Sequence, residues 1–304
     1  MRDLHPGGGG AKDGPIEDGP IEDGPIEDGP IEDGPASEGS PKEDLSSGQP
    51  VPSPGELIGP DDLLSFGCRG GLACSSSCCR DVSIYLTPYD LLRLRQGLGL
   101  SSRVFLDRYA LVSHAKLVPL VLLGMNEEDE RRCPFVTPAG CSVYDDRPWA
   151  CRMFPLDLGE QGGYRVSADR ERCPGLGQGE PTRVRAHLGS QGVAPYLAEE
   201  RLWGAVTGDP RLGSLEVDNP AILQMVFMAT YNLDAFREFL FESSFLSRFS
   251  LPAGRVERLQ KDELELLHFG YEWLEFGLFG KKSLRLSHDQ APTTGAKGDP
   301  DETA

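Results

Sequence analysis

The sequence predicts an α+β fold: a small cysteine-rich domain of short strands and helices, a C-terminal helical subdomain behind it, and a disordered acidic tail in front. Three observations predict this. All eight cysteines fall between Cys68 and Cys173, leaving both ends of the 304-residue chain without a thiol. Apolar residues at helical spacing dominate only from about residue 190 onward. Residues 1–62 hold sixteen acidic residues against Arg2, Lys12 and Lys42, so they carry −13 of the chain's net −18. The expected boundaries are 1–56 for the tail, 57–180 for the cysteine-rich domain, 190–282 for the helical subdomain and 283–304 for a second disordered tail.

The first tail is repetitive. Residues 13–35 run through four copies of Asp-Gly-Pro-Ile-Glu and end in Asp-Gly-Pro. Each copy has one apolar residue (Ile16, Ile21, Ile26 or Ile31), too little to offset a backbone ordering cost of roughly 1–2 kcal/mol per residue. The segment reads as a solvated spacer, with an arm for a basic partner as the alternative. The rest of the chain carries only −5 and has no cluster of Lys and Arg, which argues against a nucleic-acid partner. The longest apolar run, Leu117–Gly124, contains Pro119 and is far short of a membrane span. With no signal-peptide pattern at the start, the expected location is the cytoplasm. A protein partner is possible and has no signature.

The elements follow in order. Val82, Ile84 and Leu86 alternate with Ser83 and Tyr85, predicting a strand over 82–86. Thr87-Pro88-Tyr89-Asp90 then opens a helix, with Thr87 as N-cap, Pro88 at its first position and Asp90 closing a capping box. Leu91, Leu92 and Leu94 form its inner face, and Gly97 and Gly99 end it. Ser101 or Ser102 caps a short helix through Val104, Phe105 and Tyr109. A second strand is expected at 117–123 and a solvated turn at 127–130. Residues 133–173 contain five prolines' worth of interruption with Pro174 (Pro134, Pro138, Pro148 and Pro155 before it) and read as loops, with a short strand at Tyr164–Val166. Helices are then expected over 196–206, from Pro220 through Phe227, over 235–246 behind an Asp234 cap, and over 259–279.

Eight thiols in one segment need an explanation. In a reducing compartment, closely spaced cysteines are metal ligands or redox groups more often than structural disulfides. Thiolates suit zinc, copper(I) and iron–sulfur clusters, and four of them fill a tetrahedral zinc site or carry a four-iron cluster. Eight could fill two such sites. The candidate ligands are Cys68, Cys74, Cys78, Cys79, Cys133, Cys141, Cys151 and Cys173. Cys78 and Cys79 are adjacent, so in an extended chain they face opposite ways and could serve two sites. Metal-free redox disulfides and unused thiols are the alternatives. His114, His187 and His268 lie away from the cysteines in sequence and read as ordinary histidines. Arg69, Arg80, Arg147 and Arg152 stand beside cysteines, where guanidinium groups would offset the −2 of a four-thiolate site and donate to sulfur.

Cys133-Pro134-Phe135, Cys141-Ser142-Val143-Tyr144, Arg147-Pro148 and Cys151-Arg152-Met153-Phe154-Pro155 resemble the signature of the cysteine-cluster family, a zinc- or iron-chelating domain. Phe66 to Cys79 resembles its C-x2-C-x2-C-C element, with x5 and x3 gaps in place of the usual x2. The resemblance covers about residues 64–176 and implies a domain that holds a four-iron iron–sulfur cluster or zinc, with a redox role in the first case. One relative in that group, flagellin lysine N-methylase, makes a protein lysine methyltransferase using S-adenosylmethionine the alternative. A module in which the metal only staples loops for protein interaction is the third reading.

Overall fold

Two short strands, Leu57–Ile58 (β1) and Leu63–Leu64 (β2), begin the ordered body. Ile58 and Leu64 are buried while Leu57 and Leu63 face solvent, the alternation of a one-sided strand. The computed structural model describes residues 51–68, 74, 76–215 and 220–287. The acidic repeat and residues 288–304, expected to be disordered, lie outside the described residues.

The capping box at Thr87 forms as predicted. Thr87 Oγ1 accepts from Asp90 N, the Asp90 carboxylate accepts from Thr87 N, and the helix Pro88–Gly97 (α1) follows. Ser101 caps the next helix, Ser102–Tyr109 (α2), through Val104 N. The strand expected at 82–86 is reduced to one bridge, Tyr85 to Leu122, flanked by hydrogen bonds from Leu86 N to Val121 O and from Leu123 N to Ile84 O. Its neighbour belongs to a hairpin of Ala110–Ala115 (β3) and Val118–Leu123 (β4), joined by Lys116 and Leu117. Lys116 takes the left-handed backbone that the two-residue turn requires, at φ 56°. The sequence does not reveal β3, because all its residues after Ala110 are exposed and no alternation marks it.

The segment 133–173 is mostly loop, as its prolines imply. It holds a small hairpin of Val136–Thr137 (β5) and Gly140–Cys141 (β6), the short helix Trp149–Met153 (α3), and the strands Leu156–Leu158 (β7) and Tyr164–Val166 (β8). β8 sits between β1 and β7 in an antiparallel sheet, and Thr182–Arg183 (β9) pairs with β2. Both pairings tie the end of the cysteine-rich segment back to its beginning. They bury Ile58, Leu64, Met153, Val166, Cys173, Leu176, Val184 and Leu188 in one core.

The remaining helices are Val184–Ser190 (α4), Ala194–Thr207 (α5), Pro220–Thr230 (α6), Leu233–Glu242 (α7), Arg255–Lys261 (α8) and Glu263–Phe279 (α9). Two differ from expectation. The cap of α7 is Asn232, not Asp234, whose carboxylate instead accepts from Ser102 N at the start of α2. The single helix expected over 259–279 is broken at Asp262. That residue is extended, at φ −110° and ψ 115°, and its side chain accepts from Leu264 N and Glu265 N to start α9 afresh. An Asp that bonds forward to backbone amides competes with a continuous helix. Phe236, Leu240, Leu266, Phe269, Trp273 and Leu274 are buried in the helical core, which α1 enters through Tyr89 and Leu92. A Cβ at Gly270 of α9 would strike the Ala229 carbonyl oxygen of α6, so only glycine permits that helix contact. Residues 283–287, assigned by the sequence to the second tail, pack back on this core: Leu284 is buried, and Leu286 bridges Phe249. Among the described residues, no helix is long and apolar enough to cross a membrane.

Candidate metal centre

The first cysteines are placed by turns. Ser77 N donates to Cys74 O, and Cys78 and Cys79 occupy the 3-10 turn Ser77–Cys79. The vicinal pair is therefore not extended, as an alternating strand would have it, and its two sulfurs lie 3.9 Å apart. Cys68 is held from the other side. Gly67 N donates to Gly175 O, and Phe66 bridges Leu176, which itself donates back to Cys173 O. A Cβ on Gly175 would come within 2.9 Å of the Gly67 carbonyl oxygen, so the missing side chain lets the Cys68 and Cys173 loops meet.

The later cysteines attach to the same turn through its last residue. Cys133 N donates to Cys79 O at 2.8 Å, Val136 N donates to Cys133 O, and Val136 is the strand partner of Cys141. Cys151 rides on α3. The first amide of that helix, Trp149 N, donates to Asp90 Oδ1 at 2.7 Å, and Asp90 is wholly buried on α1. The capping carboxylate thus also anchors the segment that carries Cys151. The burial of Asp90 raises its pKa, against the hydrogen bonds from Trp149 and Thr87.

All eight cysteines are free thiols. Burial, then repulsion from Cys78 and Cys74, raises the Cys68 pKa against the pull of Arg147. Burial and Cys141 raise Cys133, and burial followed by Cys74 and Cys78 raises Cys173. The hydrogen bond with Cys79 and then burial raise Cys78 far above the usual thiol range. Cys151 is pushed up to about 12 by burial, then by Cys133, Cys141 and Asp90. Its accessible area nevertheless classes it as exposed. The two facts fit a thiol on the wall of a recess, surrounded by protein but reached by solvent. Such thiols stay neutral together, because like charges at short range cannot all ionise; a cation among them would let them.

The arginines divide. The guanidinium of Arg152 is committed to backbone, donating to the carbonyls of Arg147, Asp145 and Gln191, and lies 4.5 Å over the Tyr196 ring. It shapes the loop and leaves the sulfurs alone. Arg147 is also buried. It donates to Gln191 Oε1 and stacks on Tyr144, yet its Nε–H has no partner. Its charge acts on both Cys68 and Cys151. A buried guanidinium N–H without an acceptor, beside thiols at two ends of the cluster, fits a site that becomes anionic when loaded. Arg80 is spent on Asp129 and Glu130, and Arg69 lies outside the described residues. Arg172, which the sequence did not single out, acts on Cys78.

The three histidines have neighbours other than the thiols. His114 is exposed and His268 bonds Glu199 at 2.9 Å. His187 stands edge-on to Phe66 at 5.5 Å with its Nε2 unpartnered. Burial lowers its pKa, as does Arg147. Among the described residues, no three His, Cys, Asp or Glu groups already close on a common point at ion-binding distance.

Residues 67–174 match the CxxCxxCC family model, described as a "Putative zinc- or iron-chelating domain". This segment is similar to that family. The match begins one residue before Cys68 and ends one residue after Cys173, so the CxxCxxCC domain contains every thiol of the chain. Its description supports metal binding as a general property of the matched segment. No curated protein and no solved structure matches the chain.

Proposed function

We propose that the CxxCxxCC domain holds a metal centre through the thiolates of Cys68, Cys74, Cys78, Cys79, Cys133, Cys141, Cys151 and Cys173, either as iron–sulfur of the four-iron type or as zinc. One observation carries this reading: the chain returns its thiols to one neighbourhood from Cys68, from the Cys74–Cys79 turn, from the β5–β6 hairpin, from α3 and from the Cys173 turn. A metal bound to these thiols would tie the turns that carry them to one another. Thiolate-bound iron–sulfur would supply one-electron transfer. Zinc in a closed four-thiolate site would be structural, because such a site leaves no open position.

Anaerobic purification of the full chain, followed by metal and acid-labile sulfide analysis, tests the proposal. Brown protein with iron and sulfide selects the cluster; colourless protein with stoichiometric zinc selects the structural site. Folded protein that takes up neither would overturn both. A Cys151→Ser variant should contain less metal and become protease-sensitive across 133–173, and unchanged metal content would remove Cys151 from the ligands.

A further inference from the structure

We propose that the eight thiols form two adjacent four-thiol metal sites, one of Cys68, Cys74, Cys78 and Cys173, the other of Cys79, Cys133, Cys141 and Cys151, joined through the Cys78–Cys79 peptide. This deepens the metal-binding reading and rests on it.

Backbone geometry sorts the ligands. The Gly67–Gly175 hydrogen bond and the Phe66–Leu176 bridge bring Cys68 to the Cys173 turn, and Cys74 begins the turn that ends in Cys78. On the other side, Cys79 O holds Cys133 N, and the Cys133 turn leads directly into the hairpin where Val136 pairs with Cys141. Cys151 reaches the second set through α3, which Asp90 fastens to α1. The apolar packing divides in the same place. Cys173 is buried in the core of Ile58, Leu64 and Leu176. Cys133 and Cys141 pack on a different core, built from Leu91, Leu94, Phe105 and Phe135. Electrostatic neighbours agree: Cys68 and Cys173 each face Cys74 and Cys78, while Cys151 faces Cys133 and Cys141.

The vicinal pair needs separate treatment. Its sulfurs are 3.9 Å apart, close to the edge of about 3.8 Å that a tetrahedral ion with bonds of about 2.3 Å would impose. Distance alone would allow both on one ion. What divides them is their attachment, since Cys78 closes the turn begun at Cys74 whereas the carbonyl of Cys79 is bound to Cys133. Two ions bonded to these sulfurs would lie no more than about 8.5 Å apart. Two four-thiolate sites so close would repel, and Arg147 is placed to offset this, acting on Cys68 of the first set and Cys151 of the second.

Cobalt(II), which gives intense thiolate-to-metal absorption in tetrahedral sulfur sites, provides the probe. Reduced, full-length protein titrated anaerobically should saturate at about two equivalents. The deciding variants are doubles. Cys78→Ser/Cys173→Ser removes two ligands from one set and should keep one equivalent. Cys78→Ser/Cys141→Ser removes one ligand from each and should keep no tight binding, while circular dichroism shows the helices retained. Saturation of the wild type at one equivalent, or equal binding by the two doubles, overturns the division into two sites but leaves metal binding intact. Wild-type protein that binds no cobalt overturns the metal reading itself.

Discussion

Replacing Asp90 with alanine should destabilise the protein strongly and loosen the Cys151 segment with it. Asp90 is wholly buried, and its carboxylate accepts from Thr87 N and Thr87 Oγ1 at 2.9 Å and from Trp149 N at 2.7 Å. Loss of the capping interaction costs about 0.5–2 kcal/mol. The Trp149 amide, left without its acceptor, costs about 1–3 kcal/mol more. Burial raises the Asp90 pKa, so part of this is returned when a poorly solvated carboxyl is removed. A net loss of roughly 1–4 kcal/mol remains, which for a body of this size lowers the melting temperature by about 3–15 °C. Asp90→Asn should fall between, because its carbonyl can still accept from Trp149 N while its amide opposes the Thr87 N–H. Thermal denaturation followed by circular dichroism measures the stability. Metal content and proteolysis across 133–173 report the second effect. An Asp90→Ala protein that melts within about 2 °C of wild type and is cut no faster in those loops would refute the idea that one carboxylate serves both helix starts.

Two further outcomes test the contacts of α9. Arg95 on α1 is 4 % exposed and pairs with Glu263 at 2.6 Å, so Glu263→Ala leaves a buried guanidinium without its counter-charge. The expected loss is about 2–4 kcal/mol, at the lower part of the range for a broken buried pair because water reaches Glu263; Arg95→Met/Glu263→Met should recover most of it in denaturant unfolding, and a double variant no more stable than the single would contradict the account. The hydrogen bond that His268 Nε2 donates to the Glu199 carboxylate raises the His268 pKa, with help from Glu265 and Glu272 against partial burial. A histidine raised in the fold stabilises fully below its unfolded value, about pH 6.5, and loses that contribution as pH rises through the folded value. The melting-temperature gap between wild type and His268→Gln should therefore be widest near about pH 6 and narrow toward about pH 9, and a gap independent of pH would assign the pair no such role.

Local signals were the legible ones. Thr87, Pro88 and Asp90 mark a helix start through bonds made within four residues, and the structure forms them. Ser101 is read correctly for the same reason, and Tyr164–Val166 and Pro220 also stand where the sequence puts a strand and a helix start. β3 was not legible, because an exposed strand has no apolar period and owes its existence to β4 beside it. The strand expected at 82–86 had the right alternation but only one bridge to show for it. Asp234 and Asp262 show the limit more sharply. Either could have capped or continued a helix, and the outcome was set by which amides stood nearby: Ser102 N for the first, Leu264 N and Glu265 N for the second.

The sequence alone determined that all the thiols lie in one proline-interrupted segment with a family signature, and that Arg147 and Arg152 stand among them. Those are matters of composition and spacing, which survive without a fold. Tertiary structure decided which thiols are neighbours. It set Cys68 against Cys173 through the Gly67–Gly175 contact, and Cys79 against Cys133 through one backbone hydrogen bond. It also separated the two arginines, spending Arg152 on carbonyls and leaving Arg147 with an unpartnered N–H between the thiols. Residues far apart in the chain meet only when intervening elements pack, and no local pattern in the sequence records where that packing brings them.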